Sequence, residues 1–198
     1  MSGGVVVWEI DSGDSGGALA LDADAVYVLS RSYVSAFAAE DGAELWYAEI
    51  PGGTRGGECL AIEDDRLVVV DEGAPTHAFR LRSGAPASVP SDAGESCDNQ
   101  RVDPGYSFNE TALLYEDRPI WQLPADGGEF TSVRRVGRHT LINDFDAGLV
   151  LVTDGEEPVT LAEAGDARFD ESPIAISGSA FAVVTRSGAL VYGVVRDA

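Results

Sequence analysis

Hydrophobic and polar positions alternate along this chain in short runs that recur. Five segments share one order: a β-branched or aromatic run, a polar turn, a second such run and usually a closing glycine. They are residues 24–42, 65–84, 111–127, 147–165 and 179–197. Alternation with a period of two is typical of β-strands, and two such runs joined by a polar turn indicate a β-hairpin. The pattern therefore predicts the same hairpin five times.

Further strand-like pieces lie between the hairpins, for example residues 43–50 and 56–64. Each repeat then holds about four short strands over roughly 40 residues, which is typical of a propeller blade. We therefore predict an all-β fold, a five-bladed β-propeller of four-stranded blades that forms a single domain over residues 1–198. A β-sandwich also fits the alternation, but a sandwich does not require five copies of one hairpin.

The chain begins with a strand-like run, Val5–Ile10, that has no hairpin before it. Its Trp8-Glu9-Ile10 resembles the run around Trp46 that follows the first hairpin, whereas no last strand follows the fifth hairpin. We therefore predict that the N-terminal strand completes the fifth blade and closes a monomeric ring. Such closure removes an open sheet edge that would otherwise invite aggregation.

The first repeat, residues 18–50, resembles the PQQ-like propeller repeat. The resemblance is carried by Val26-Tyr27-Val28, Ala36-Phe37-Ala38, the Asp41-Gly42 turn and the Leu45-Trp46 pair, and it fades in the later repeats. It implies a propeller fold of the kind found in quinone-dependent dehydrogenases, outer-membrane assembly lipoproteins and many scaffolds. The vicinal disulfide and calcium ligands of many quinoprotein dehydrogenases have no match here, so we expect no quinone cofactor.

The charge balance narrows the choice of partners. The chain has 34 acidic residues and 13 basic residues, all of them arginine, and a net charge of −21. Such a surface repels nucleic acid and anionic membranes, so we expect no nucleic-acid partner. The composition resembles that of halophilic archaeal proteins, whose self-repulsion is screened in molar salt by a Debye length of about 3 Å. An acidic protein from a GC-rich genome is the alternative interpretation.

The sequence contains no apolar run of about 18 residues, so we expect no membrane insertion. Because the N-terminal residues lack the basic region of a signal peptide, we predict a cytoplasmic location and leave export of a longer precursor open. The two cysteines, Cys59 and Cys97, lack metal-ligand spacing. We predict two free thiols, with one disulfide as the alternative.

Candidate catalytic and metal-binding motifs are weak. Residues 13–17, GDSGG, match the pattern around the nucleophilic Ser of chymotrypsin-like proteases, but only 14 residues precede Ser15, whereas in those enzymes the His and Asp come first. We interpret this stretch as a turn, and both His77 and His139 as packed or solvated side chains. Residues 143–148 place Gly148 where a calcium loop needs an acid. We predict no catalytic, cofactor-binding or metal-binding residue.

One short segment is basic, although the chain as a whole is acidic. Residues 133–139, VRRVGRH, gather Arg134, Arg135, Arg138 and His139. Because Arg pairs bidentately with carboxylate or phosphate groups, we predict that these four residues bind an acidic protein partner. The alternative is a solvated turn whose charges are balanced by neighbouring carboxylates. The sequon Asn109-Glu110-Thr111 matters only if the chain is exported.

Taken together, these patterns predict a non-enzymatic propeller scaffold that mediates protein–protein interaction in a high-salt environment. One alternative is a hydrolase that cleaves a glycan or a phosphate ester in the central channel, since 34 acids leave room for a catalytic carboxylate pair. A carbohydrate-binding propeller is the other. It would need the same polar and aromatic residues in every blade, and the five segments do not show them.

Overall fold

A computed structural model describes residues 3–11, 18–54, 59–71, 73–90, 103–109, 112–122, 130–144, 147–162, 174–184 and 189–196. These residues form eighteen β-strands and no helix, so the prediction of an all-β fold is confirmed. The first nine strands are β1 (Gly3–Asp11), β2 (Ala18–Leu21), β3 (Ala25–Leu29), β4 (Tyr33–Ala38), β5 (Glu44–Glu49), β6 (Cys59–Glu63), β7 (Arg66–Asp71), β8 (Ala74–Arg80) and β9 (Tyr106–Phe108). The others are β10 (Ala112–Tyr115), β11 (Arg118–Gln122), β12 (Phe130–Val136), β13 (His139–Asp144), β14 (Gly148–Thr153), β15 (Val159–Ala162), β16 (Ile174–Ser177), β17 (Ala180–Val184) and β18 (Ala189–Arg196).

The described strands form five small antiparallel sheets, which we number in chain order. Sheet I is β2-β3-β4-β5, sheet II is β6-β7-β8, sheet III is β9-β10-β11, sheet IV is β12-β13-β14-β15 and sheet V is β16-β17-β18-β1. Strands that follow one another in sequence are neighbours in each sheet, apart from β1. This arrangement of consecutive short sheets is similar to that of a β-propeller.

Strand β1 joins the opposite end of the chain. It pairs with β18 from Gly3 opposite Arg196 to Asp11 opposite Ala189. It thereby becomes the outer strand of sheet V. The predicted pairing of the N-terminal strand with the last hairpin is confirmed.

One backbone hydrogen bond recurs in all five sheets. In each, the bond belongs to one pair of consecutive strands: β3–β4, β7–β8, β9–β10, β13–β14 and β17–β18. The first residue beyond the paired stretch of the later strand donates its N–H to the carbonyl of the residue that precedes the earlier strand. The bonds are 2.8–3.2 Å long and join Ala39 to Asp24, Leu81 to Asp65, Glu116 to Gly105, Asp154 to Arg138, and Val195 to Ser179. The five sheets therefore share one register, although their sequences have little in common.

This register changes how sheets III and IV relate to the sequence repeat. The strand pairs equivalent to β3–β4 of sheet I are β9–β10 and β13–β14, because Glu116 and Gly105, and Asp154 and Arg138, make the recurrent bond there. The segment 111–127 instead contains β10 and β11, and the segment 147–165 contains β14 and β15, which are the last two strands of their sheets. These two segments are therefore shifted by one strand relative to the other three.

Apolar clusters join neighbouring sheets. One cluster spans sheets I and II around Leu29 and Leu67, and a second spans sheets V and I around Trp8 and Val26. A third joins sheets IV and V around Phe181, and another joins sheets III and IV around Leu113. The described contacts thus place the sheets in the order II, I, V, IV, III.

The prediction of free thiols is wrong for Cys59. This residue begins β6, is buried and is disulfide-bonded. The other cysteine of the chain, Cys97, lies outside the described residues. Disulfide formation depends on the distance between Cα atoms in the folded chain, and separation along the sequence does not determine that distance.

Candidate functional site

A tryptophan from sheet V closes the boundary with sheet I. Trp8 of β1 is 9% exposed, and its indole N–H donates a hydrogen bond to the carbonyl of Ala39 at 3.0 Å. Its ring stacks on Tyr192 with 5.2 Å between centroids. Gly42, with φ +74°, lies against the indole so closely that a Cβ there would be 2.9 Å from the ring. The glycine therefore provides the space in which the indole sits.

The boundary between sheets I and II repeats this arrangement. Trp46 of β5 donates its indole N–H to the carbonyl of Leu81 at 2.7 Å. Gly84, with φ +64°, lies beneath the ring, and a Cβ there would be 2.6 Å from the indole. In both cases the glycine comes three residues after the residue whose carbonyl accepts the bond. We call this combination of tryptophan, carbonyl and glycine a tryptophan lock.

Trp121 of β11 stands at the same place in the register as Trp8 and Trp46. Each tryptophan pairs with a residue of the strand that makes the recurrent bond. That residue lies three positions before the one that donates the recurrent N–H. The pairs are Trp8 with Tyr192, Trp46 with Ala36 and Trp121 with Leu113. The boundary between sheets III and IV is therefore the third place where a tryptophan lock is expected.

At this boundary the lock is not formed. The indole nitrogen of Trp121 is buried and has no hydrogen-bond partner. The recurrent backbone bond places Asp154 where sheets I and II have Ala39 and Leu81. Three residues after Asp154 comes Glu157, where the other two turns have glycine. Because a Glu side chain cannot leave the space that Gly leaves, the turn of sheet IV offers no seat for the indole.

A cleft of about 500 Å³ lies at the III–IV boundary. The turn between β10 and β11 and the first residues of β11 form one wall, and the turn between β14 and β15 forms the other. Its lining residues are Tyr115, Glu116, Arg118, Pro119, Ile120, Arg135, Val152, Thr153, Asp154, Gly155 and Glu156. We call this space the III–IV cleft.

Arg135 is held in place inside the III–IV cleft. Its guanidinium lies over the ring of Tyr115, 4.1 Å from the centroid, and pairs with the Asp154 carboxylate at 2.8 Å. Its backbone N–H donates to Asp103 at 2.6 Å. Burial alone would lower the pKa of Arg135, but hydrogen bonds to Asp154 and Tyr106 and the charges of both groups raise it. The side chain is therefore a fixed, permanently charged planar surface.

Tyr106 packs against Tyr115 and bonds to the next sheet. Its ring lies 4.9 Å from that of Tyr115, and its hydroxyl is 2.9 Å from the hydroxyl of Thr140. Burial raises the pKa of Tyr106, so its phenol remains protonated at neutral pH. Tyr115 is consequently held between a second aromatic ring and a cation.

The rim of the III–IV cleft has an unusual turn and an unpaired charge. Glu116 and Asp117 link β10 to β11 and both have positive φ, +48° and +64°, which residues other than glycine rarely adopt. Arg118, the next residue, is exposed. Among the residues that the structure describes, no carboxylate pairs with its guanidinium. The rim thus combines local backbone strain with an exposed cation.

Each arginine of the predicted cluster pairs with a carboxylate of its own. Arg134 pairs with Asp103 at 2.9 Å, and Arg138 pairs with Glu156 at 2.7 Å. With Arg135 on Asp154, all three arginines already have a carboxylate partner, which agrees with the alternative interpretation of a balanced turn. Only Arg135 lines the III–IV cleft.

His139 does not belong to a binding surface. It is 1% exposed, and its Nδ1 lies 2.9 Å from the hydroxyl of Thr153. It begins β13, a strand whose six residues are all buried, so its ring faces the protein interior. The structure thus buries His139, while the prediction that it contacts a partner stays a prediction. The Thr153 hydroxyl lies beside the imidazole of His139, as a nucleophile would beside a base. Thr153 is only 4% exposed, however, so a substrate has little access to this hydroxyl.

Most of the other candidate residues lie outside the part of the chain that the structure describes. His77 lies in β8 of sheet II, far along the chain from the arginine cluster. Ser15, Thr111 and residues 145–146 of the calcium-like motif lie outside the described residues. Within the described ranges, no group of three or more His, Cys, Asp or Glu side chains is arranged to hold a metal ion.

Sequence reasoning missed most of the III–IV cleft. Tyr115, Arg118 and Asp154 come from three different strands or turns, and only the fold brings them together with Arg135. One signal was present in the sequence. Trp121 is the third tryptophan of the chain, and Glu157 stands three residues after Asp154, where the other two acceptors are followed by glycine.

Comparison with known proteins shows similarity at the level of fold alone. No family model matches the chain, and no curated protein matches it. Among solved structures, BamB from Moraxella catarrhalis is similar over 94% of this chain and 87% of its own, at 10% identity and a TM-score of 0.42. The computationally designed Ika4 protein is similar over 92% of both chains, at 10% identity and a TM-score of 0.30. The designed Ika8 protein is similar over 94% of this chain and 60% of its own, at 13% identity and a TM-score of 0.30. In addition, the described residues contain no helix long and apolar enough to cross a membrane.

Proposed function

We propose that this chain is a five-bladed β-propeller, one domain over residues 1–198, that binds a protein partner and catalyses no reaction. Three features support the ring. The five sheets share one register, they follow one another in the order II, I, V, IV, III, and β1 joins the last hairpin to the start of the chain. A rigid ring of this kind presents its loops as a binding surface.

The composition of the first strands supports a non-enzymatic role. Strands β2 (ALAL), β6 (CLAIE) and β16 (IAIS) carry almost only small or aliphatic side chains. In a propeller these strands line the centre of the ring. A channel hydrolase would instead place at least two carboxylates there, at a separation that suits its mechanism. The competing enzyme hypothesis therefore has little support from these three strands.

The observation that carries the binding role is the III–IV cleft. Its lining combines a fixed cation, Arg135, with Arg118, an exposed cation that pairs with no carboxylate among the described residues. Arginines and aromatic rings are enriched at protein interfaces, and tightly bound side chains sit in such partly preformed pockets. The III–IV cleft is therefore the surface that we assign to the partner.

A matched pair of charge reversals tests this proposal. Arg118 lies at the III–IV cleft, and Arg82 lies in a second cavity, between sheets I and II. Both side chains are exposed. Tagged wild-type chain, Arg118→Glu and Arg82→Glu are used for affinity capture from the native host at high salt, with identification by mass spectrometry.

We expect a partner that wild type and Arg82→Glu retain and that Arg118→Glu loses. Equal retention by all three forms would overturn the assignment to the III–IV cleft. Failure to recover any specific partner, together with hydrolysis of a sugar or phosphate ester by the purified chain, would replace the scaffold with the enzyme alternative.

We also propose that the protein works in concentrated salt. At a net charge of −21, self-repulsion destabilises the folded state until salt screens it. The midpoint of thermal unfolding should then rise steadily as potassium chloride is raised towards molar concentration. A midpoint that is unchanged over this range would contradict the proposal.

A further inference from the structure

A three-residue motif, Asn109-Glu110-Thr111, follows strand β9. It fits the pattern Asn-X-Ser/Thr, in which X is any residue except proline. This pattern marks asparagines that are N-glycosylated on surface loops of secreted proteins. The chain contains two other asparagines, Asn99 and Asn143, and neither has Ser or Thr two residues later. Asn109 is therefore the one asparagine of the sequence that fits the pattern.

The structure exposes Asn109. The residue directly follows β9, and its backbone N–H donates to the carbonyl of Ala112 at 3.0 Å. Its side-chain Oδ1 accepts the N–H of Ala112 at 2.8 Å, so the side chain has a defined position. Asn143, by contrast, lies in the interior of sheet IV and is only 3% exposed. The asparagine of the motif is thus placed where an enzyme can reach it.

Asn109 is also separated from the III–IV cleft. Strand β10 begins at Ala112, beside Asn109, and ends at Tyr115, which lines the cleft. A sugar on Asn109 would therefore start at one end of this strand, whereas the cleft lies at the other end. Modification of Asn109 leaves the proposed binding surface open.

The disulfide of Cys59 is an independent observation that bears on the compartment. Cys59 is 3% exposed and disulfide-bonded. Disulfides form and persist in oxidising compartments such as the cell exterior, and they are rare where glutathione or thioredoxin keeps thiols reduced. The Asn-X-Thr pattern has its meaning in secreted proteins as well. Two unrelated features of the chain thus indicate the same location.

We propose that the protein is exported to an oxidising compartment and that Asn109 carries an N-linked glycan there. The sugar donor is a lipid-linked sugar phosphate. The amide Nδ2 of Asn109 forms a bond to the anomeric carbon of the sugar, the bond from that carbon to the phosphate oxygen breaks with its electron pair, and the amide loses one proton. This takes up the export that the sequence leaves open. It is independent of the proposed binding function, which needs neither the glycan nor the disulfide.

Peptide mapping by mass spectrometry tests the glycan. Wild type, Asn109→Gln, Thr111→Ala and Thr111→Ser are produced in the native host and purified. We expect the wild-type peptide that contains Asn109 to be heavier than its sequence by at least one sugar. Asn109→Gln and Thr111→Ala should lose this added mass, whereas Thr111→Ser keeps the pattern and should retain it. Thr111→Ala and Thr111→Ser form a matched pair, because both leave Asn109 in place.

Alkylation and cell fractionation test the compartment. Cys59 of the wild-type chain should react with iodoacetamide only after reduction, and the chain should be recovered outside the cytoplasm. An unmodified peptide around Asn109 in wild type would overturn the glycan, and so would an added mass that persists in Thr111→Ala. Recovery of the chain from the cytoplasm with a reactive Cys59 would overturn the export. Neither result changes the capture of a partner at the III–IV cleft, which depends on Arg118.

Discussion

The I–II and III–IV boundaries share one strand register but differ in how their tryptophan is bound. Both have a tryptophan at the same register position of the outer strand, and both face a turn fixed by the same backbone bond. At I–II the indole of Trp46 closes the boundary over Gly84. At III–IV the turn has Glu157 in place of that glycine, and the buried indole nitrogen of Trp121 has no hydrogen-bond partner. A cavity lies at both boundaries, of about 820 Å³ at I–II and about 500 Å³ at III–IV.

The difference shows that a tryptophan alone does not close a boundary. The ring needs a carbonyl as acceptor and a glycine that leaves room, and both belong to the neighbouring sheet. At the III–IV boundary, where Glu157 replaces the glycine, Trp121 keeps its register position but its indole N–H has no hydrogen-bond partner.

Truncation of the two tryptophans should give the largest contrast. Trp46→Ala removes a buried ring and a satisfied hydrogen bond, so we expect a loss of about 3–5 kcal/mol in the free energy of unfolding. Trp121→Ala removes a half-buried ring whose N–H has no partner, so a smaller loss of about 1–2 kcal/mol is expected. Urea unfolding of both variants measures the difference. Equal losses would mean that the III–IV boundary is packed as tightly as the I–II boundary.

Substitution of the turn glycines tests how closely each turn is packed against an indole. At Gly84 a Cβ would lie 2.6 Å from the indole of Trp46, and φ is +64°. We expect Gly84→Ala to destabilise the fold by about 2–4 kcal/mol through overpacking and backbone strain. Gly155 in the turn of sheet IV has φ +80° but open space around it, so Gly155→Ala should cost only about 1 kcal/mol. Thermal unfolding compares the two, and a larger effect at Gly155 would contradict the difference in packing around the two glycines.

Relief of the backbone strain at the rim of the III–IV cleft should increase the stability of the protein. Asp117 adopts φ +64°, which glycine tolerates without a steric penalty, so we expect Asp117→Gly to stabilise the protein by about 1 kcal/mol. Glu40, in the corresponding turn of sheet I, is exposed and does not have a positive φ. Glu40→Gly is therefore the control, and it should be neutral or slightly destabilising. Chemical denaturation measures both, and a loss of stability in Asp117→Gly would show that its carboxylate contributes more than the strain costs.

High pH should affect sheet I through Tyr27. Burial, followed by the hydrogen bond to Asp22 and the charges of Asp22 and Asp24, raises the pKa of Tyr27 well above its ordinary value of 10.0. Because the folded pKa is the higher one, this stabilisation is present below about pH 10 and is lost as the pH rises towards the folded value. Tyr27→Phe should cost about 1 kcal/mol at neutral pH and reduce the alkaline loss. Unfolding free energies at pH values on both sides of 10 measure this change. An alkaline loss of the same size in Tyr27→Phe would assign the effect to other groups, such as Tyr106 of sheet III.

The sequence was informative where structure is local. Alternation identified the strand pairs, and the similarity between the runs around Trp8 and Trp46 predicted where β1 pairs. It misaligned sheets III and IV by one strand, because the outer hairpins β10–β11 and β14–β15 show the same two runs and polar turn as the β3–β4, β7–β8 and β17–β18 hairpins of the other repeats. The III–IV cleft was missed because Tyr115 and Arg135 meet only through the packing of two sheets. The charges of Arg134 and Arg138 were visible, but the carboxylates that neutralise them, Asp103 and Glu156, are separated from them along the chain.

The recurrent hydrogen bond of the five sheets uses only main-chain atoms. No exchange of one side chain for another removes its donor, with the single exception of proline, which has no N–H. Residues 39, 81, 116, 154 and 195 are accordingly occupied by side chains as different as Ala, Leu, Glu, Asp and Val. The repeat is thus free to diverge in sequence without losing its geometry, so relatives of this chain are better sought by strand register than by residue identity.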